Sequence, residues 1–295
     1  MKATLFLILA TLFWGFNFHF AKYMLSESSF IEAAGWRYVF GVGTLLLFGF
    51  KALKSLNCRQ IPIKGIFLVG VIGLFFFNVF FFKGLEYTDP INAALIVGLN
   101  PLWTLLFSAF LIGTKITRYH VIGALLSLIG VTYLLTQGSL ENLKSLNFNR
   151  GDLLILSGVI VFALQNVWVK IYQGTISNFN FTTLTNALCL LGFLCILPWD
   201  QNSLSWHHST WYWISSIGIG AFGTAAAYLF WNLGIVEKGP DRAGIYLNVV
   251  PLAAAISGLA IGEPLYTHHF VSGMIIISGV LITQYAGRVK EAGSS

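Results

Sequence analysis

Runs of about 20 apolar residues, the length that crosses a bilayer as a helix, repeat from one end of the chain to the other, with short polar stretches between them. The pattern predicts ten membrane-spanning helices, near 3–24, 32–50, 65–85, 91–112, 118–136, 152–172, 181–198, 211–235, 241–262 and 268–286. The runs are too long for the roughly ten-residue alternating strands of a membrane barrel. Helices satisfy their own backbone hydrogen bonds in lipid, so the expected fold class is an all-α integral membrane protein. The first run follows Lys2 as a signal peptide would, yet it carries Asn17, His19 and Lys22 and has no small-x-small cleavage site. It reads as the first span.

Composition agrees. The 295 residues are 56% hydrophobic and 9% charged, against roughly 25% charged in soluble domains. The connections leave no room for a catalytic or nucleic-acid-binding domain, and the basic pI of 9.2 has a topological explanation. With the N-terminus in the cytoplasm, only Lys22, Arg37, Lys83, Lys144 and Arg150 of the 17 basic residues fall outside. That asymmetry follows the positive-inside rule and puts both termini in the cytoplasm. Cys58, Cys189 and Cys195 have no metal-ligand spacing, and the last two read as small residues within an apolar helix.

The two halves repeat. At an offset of 150 residues, Gly84, Pro90, Ala93 and Pro101 meet Gly234, Pro240, Ala243 and Pro251. At an offset of 148, Trp14, Asn17 and Lys22 meet Phe162, Gln165 and Lys170. Five spans per half is an odd number, so the halves are expected in opposite orientations, as in secondary transporters whose substrate site lies where the repeats meet. The expected organisation is a first five-helix repeat over 1–136, an external linker over 137–150, a second repeat over 151–288 and a tail over 289–295.

On these residues the chain resembles the EamA family of the drug/metabolite transporter superfamily. The resemblance rests on WGFNFHFAK at Trp14–Lys22, WRY at Trp36–Tyr38, the Pro-x-x-Ala openings of the fourth and ninth spans, and the Gly262-Glu263 pair. In the first half Gly113-Thr114-Lys115 stands where Gly-Glu-Arg is usual. The resemblance implies transport of small metabolites, often amino acids, by alternating access, with the fifth and tenth helices peripheral.

Polar residues inside the spans supply the candidate site. Every carboxylate falls at a helix end or in a loop, which favours neutral or zwitterionic substrates; any proton coupling would use His19, Glu32, Glu86 or Glu263. Asn100 and Trp103 share a face of the fourth span. Tyr228, Trp231 and Asn232 are expected on one face of the eighth, matched in the third by Asn78, Phe81 and Phe82. Trp14 and Asn17 on the first span are answered by Phe162 and Gln165 on the sixth. The candidate substrate-binding residues are Trp14, Asn17, Asn78, Phe82, Asn100, Trp103, Gln165, Tyr228, Trp231, Asn232 and Tyr246. Aromatic walls with a few amides suit an amphipathic metabolite, although amides also join helices to one another.

Arg37, Pro101 and Pro251 are candidate gate or hinge residues. For Arg37 two readings stand: a snorkelling cation beside Glu27, Glu32, Glu86 and Asp89, or an external gate or carboxylate binder. The two prolines are expected to kink their helices. Trp206, Trp211, Tyr212 and Trp213 read as an interfacial belt. The small residues Ser216, Gly220, Gly223 and Ala227 read as a ridge for close packing. The histidine pairs 207–208 and 268–269 lack metal-ligand spacing.

The functional expectation is a secondary transporter in a bacterial cytoplasmic membrane, by default an exporter of amino acids or related compounds. An importer of a quaternary amine and a lipid flippase are the alternatives, and no arrangement of nucleophiles or acids points to an enzyme. The expected partners are a small-molecule substrate and membrane lipid, without nucleic acid, cofactor or metal, in a monomer or homodimer.

Overall fold

Every regular element among the described residues of the computed structural model is helical. It describes residues 2–54, 56–88, 90–144, 149–199, 205–259, 262 and 264–292. Asp89, Ile261, Glu263, part of the 137–150 linker and the last residues of the tail lie outside this set. Among the described residues, eight helices are long and apolar enough to cross a membrane. They are α1 (Lys2–Leu25), α2 (Phe30–Lys54), α3 (Ile63–Leu85), α4 (Asn92–Ile112), α5 (Arg118–Leu135), α6 (Arg150–Thr175), α7 (Asn178–Trp199) and α8 (Thr210–Lys238).

The ninth and tenth predicted spans also form helix. The ninth, α9 over 240–258, is divided by a 3₁₀ turn at Gly244–Val249. The tenth, α10 (Thr267–Ala292), opens on a His268–His269 pair and closes on a charged stretch.

Polar residues set the helix boundaries. Thr117, Asn149, Ser177 and Ser209 cap α5, α6, α7 and α8 by accepting backbone N–H groups, satisfying donors that a helix start leaves unpaired. Gly113 closes α4 in the left-handed conformation at φ 68°, which a residue without Cβ adopts freely. Pro101 and Pro251 differ from the expected mid-helix kinks. Each lies in the first turn of a restarted helix, Asn100–Ile112 and Val250–Gly258, where the missing N–H breaks no bond. The interruption lies just upstream, at Gly98–Leu99 in α4 and in the 3₁₀ turn of α9.

Two helices contain π-helical stretches, Leu68–Phe75 in α3 and Ile219–Ala226 in α8. Both are glycine-rich, and the glycines admit neighbours that a Cβ would exclude. A Cβ on Gly223 would stand 1.8 Å from the Asn17 amide nitrogen, and one on Gly73 2.5 Å from Gln165 Cβ. One turn earlier, a Cβ on Gly220 would meet the Arg37 carbonyl at 2.9 Å, and one on Gly70 the Thr185 carbonyl at 2.7 Å. The ridge expected on α8 is therefore a packing surface, with Ser216 and Ala227 fully buried.

α5 and α10 pack closely on each other through Gly123 and Gly279, as small residues permit. Their other faces expose Ile122, Leu125 and Ile129 on α5 and Met274, Ile277 and Leu281 on α10. The core centres instead on Tyr38, Phe181, Tyr228 and Trp231.

Candidate functional site

Four aromatic side chains meet at the middle of the molecule. Trp14 of α1 lies 5.1 Å from Trp231 and 5.4 Å from Tyr228 of α8, ring centre to ring centre, and 6.3 Å from Phe162 of α6. Phe77 of α3 continues the cluster, 4.7 Å from Phe162. The Trp14 indole donates to the Gly223 carbonyl within the π-helical stretch at 2.9 Å, fixing the ring against α8.

A polar layer adjoins this cluster. Trp231 Nε1 donates to Asn166 Oδ1 at 2.9 Å. Asn166 in turn donates to Asn100 Oδ1 and Thr104 Oγ1 at 3.4 and 3.3 Å. Thr104 donates to Asn100 Oδ1 at 3.0 Å, and Asn100 donates to the Val159 carbonyl at 3.2 Å. These bonds tie α4, α6 and α8 together, and all four side chains are buried. Asn166 is absent from the sequence-derived candidates because the repeat comparison selected its neighbour Gln165.

The three candidates on α8 diverge. Tyr228 and Trp231 join the aromatic cluster, whereas Asn232 turns to α7 and donates to Thr182 Oγ1 at 3.0 Å. Asn78 donates to the Tyr38 hydroxyl at 3.2 Å and to the Leu74 carbonyl at 2.7 Å. Tyr228 also neighbours Tyr38, and beyond it Arg37. Tyr38 thus stands between two predicted site residues, although the sequence marked it only as part of a motif.

The remaining candidates are dispersed. Asn17 and Gln165 lie against their glycines, and both amide atoms of buried Gln165 lack a hydrogen-bond partner among the described residues. Trp103 stacks on Phe107 at 5.9 Å and packs on α6 beside Ile155 and Val159. Tyr246 in the 3₁₀ turn of α9 reaches Thr4 of α1. Phe82 stacks on Phe30 and lines a cleft with Arg37. His19 bonds Ser257 Oγ at 2.9 Å and the Ala254 carbonyl at 3.2 Å, joining α1 to α9.

At the α1–α2 turn, carboxylates hold the segment that leads into α8. Buried Glu32 accepts from the Ser205 N–H at 2.7 Å and pairs with His208 Nε2 at 2.9 Å. Glu27 accepts from the Ser209 N–H and hydroxyl at 3.0 and 2.7 Å. These two bonds hold its carboxyl below the usual value of 4.5. His208 stacks on Tyr212 at 3.9 Å.

This end corrects one expectation. Tyr212 belongs to the core rather than to an interfacial belt, and Trp213 packs on Trp36 at 4.9 Å, leaving Trp206 and Trp211 as the exposed members. Arg37, moreover, forms no ion pair among the described residues. Its Nε donates to Thr224 Oγ1 at 2.8 Å, while Glu86 is engaged by Lys83.

The EamA-like transporter family model matches residues 1–136 and 149–285. The uncharacterized transporter YyaM of Bacillus subtilis is 31% identical over 292 residues, covering 95% of this chain and 93% of that protein. The aromatic amino acid exporter YddG of Ancylobacter novellus is 26% identical over 192 residues, covering 63% of this chain and 64% of its own length. A crystal structure with 20% identity superposes at a TM-score of 0.82, covering 98% of each chain, which is a likeness of fold.

Proposed function

The chain belongs to the EamA-like transporter family, a multi-pass membrane protein, and from that premise we propose that it is a ten-span secondary transporter exporting amino acids with a large apolar side chain. Its two five-helix repeats, over 1–136 and 151–288, are inverted about an axis in the membrane plane and joined by the external linker 137–150. Both termini lie in the cytoplasm of a bacterial cell, α9 and α10 complete the ten spans, and substrate moves by alternating access.

The glycine contacts support the inverted repeat. Asn17 of the first half sits on Gly223 of the second, and Gln165 of the second sits on Gly73 of the first. The partners exchange halves, as an in-plane two-fold axis requires. The exposed apolar stripe Phe270, Met274, Ile277 and Leu281 supports α10 as a lipid-facing span.

The observation that carries the substrate reading is the meeting of Trp14, Phe162, Tyr228 and Trp231 from both halves beside amide groups. Flat aromatic walls give an apolar side chain broad contact, and amides serve polar ends without a full charge in the bilayer. The exporter among the relatives supports the same class. Proteoliposomes preloaded with labelled phenylalanine, leucine or choline test it. Efflux of phenylalanine and leucine above protein-free vesicles is expected. Movement of choline alone would replace this reading with that of a quaternary-amine carrier.

A further inference from the structure

We propose that Arg37 is the anchor for the substrate's carboxylate, so that the transported compounds are amphipathic carboxylates held on one side of the pseudo-symmetry axis. The inference rests on the transport reading above and names the charge that the site selects.

Arg37 is half-buried on α2, within the part of the helix that packs against α8. A guanidinium presents five N–H donors in one plane and does not lose its proton. Here Nε is given to the Thr224 hydroxyl, and the Tyr228 hydroxyl lies alongside. The residue also lines a cleft whose other walls include Ala21, Leu25, Phe82 and Ile219. A permanent cation facing an apolar cleft within a membrane protein is costly unless an anion joins it.

The described carboxylates nearest in sequence are otherwise engaged: Glu32 with His208 and Ser205, Glu27 with Ser209, Glu86 with Lys83. Among the described residues, then, no carboxylate reaches Arg37, which leaves the guanidinium open to one brought by the substrate. Nε is given to Thr224, so the edge formed by the two terminal nitrogens can take a carboxylate through two parallel N–H bonds.

The repeat strengthens the point. Gly220 abuts the Arg37 carbonyl as Gly70 abuts that of Thr185, so Thr185 occupies the equivalent place in the second half. The cation is present on one side only. A carboxylate bound there leaves the side chain of the same molecule directed past Tyr228 towards Trp14. In this conformation the cleft has about 20 Å³ of free space, enough for a water-sized group, so its walls must part to admit a substrate.

The test uses purified full-length protein and three probes: phenylalanine, 3-phenylpropionate without the amine, and phenethylamine without the carboxylate. Wild type should bind the first two at least tenfold more tightly than the third. Arg37→Gln should abolish that difference, and Arg37→Lys should restore part of it. Should Arg37→Gln fail to fold, Thr224→Val should weaken only the two carboxylates.

Equal binding of phenethylamine by wild type, or undiminished phenylalanine binding by folded Arg37→Gln, would overturn the anchor while leaving transport intact. Binding of none of the three would overturn the aromatic reading. Arg37 would then be judged on leucine and lactate with the same proteins, and no Arg37-dependent binding there would overturn the anchor too. An Arg37-dependent preference for phosphatidylglycerol over phosphatidylcholine nanodiscs, with no soluble carboxylate bound, would assign the cation to lipid and also overturn it.

Discussion

The side-chain amide of Asn17 rests on the Cα face of Gly223, within the π-helical stretch of α8, so closely that a Cβ there would stand 1.8 Å from its nitrogen. Gly223→Ala should therefore destabilise the protein by about 1–3 kcal/mol, the usual range for overpacking. Because the obstructing atom ends a side chain, Asn17→Ala should recover most of that loss. Thermal melting of the single and double variants checks it, and absence of rescue would place the strain elsewhere.

Trp231 and Asn166 share one hydrogen bond, at 2.9 Å, between fully buried side chains. Trp231→Phe and Asn166→Leu should each lower stability by about 1–3 kcal/mol through the partner left unpaired. The double variant should lose less than the sum. Strict additivity would show that the bond contributes nothing. Trp231→Ala goes further, because emptying a buried indole costs about 3–5 kcal/mol. Weakened substrate binding in that variant should come with a lowered melting temperature.

Glu27 is held below its ordinary value of 4.5 by Ser209. A carboxylate of lowered pKa stabilises the fold above its unfolded value, and the contribution disappears as pH falls through the folded value. Melting temperatures of wild type and Glu27→Gln should differ slightly at pH 7 and converge as pH falls through the lowered value of the folded state, below 4.5. A gap that widens on acidification would contradict this assignment.

The proposed topology makes a separate demand. On intact cells an impermeant thiol reagent should label a cysteine introduced at Lys144 and not one introduced at Lys54, in a variant lacking native cysteines. The reverse pattern would invert the orientation and, with it, the sense of the basic asymmetry.

Much of the helical order was legible because apolar length is a one-dimensional signal. The predicted 118–136 and 65–85 runs differ from α5 and α3 by two residues at most. The π-helical stretches were not legible. Their glycines look like a small-residue ridge, and 3.6-residue periodicity carries no sign of an i→i+5 turn. Trp14 and Tyr228 meet across α1 and α8, a contact that helix-face spacing within either span does not contain. The divergence of Trp231 and Asn232 depends on which helix stands on each side, information that adjacent positions do not hold. The pairing of Glu32 with His208 was hidden likewise, since 176 residues separate them.

The two π-helical stretches have a mechanical consequence. A turn of that kind holds one residue more than an α-turn, and tightening it to an α-turn rotates all that follows by about 100°. In α8 the part that follows bears Tyr228 and Trp231; in α3 it bears Phe77 and Asn78. Each helix thus carries a ratchet tooth directly upstream of its aromatic residues, and Gly223 and Gly73 offer no side chain to block its slip. Spin labels placed on either side of Ile219–Ala226 would register the twist as a change in their separation when substrate is added, and an unchanged separation would mean the tooth is locked.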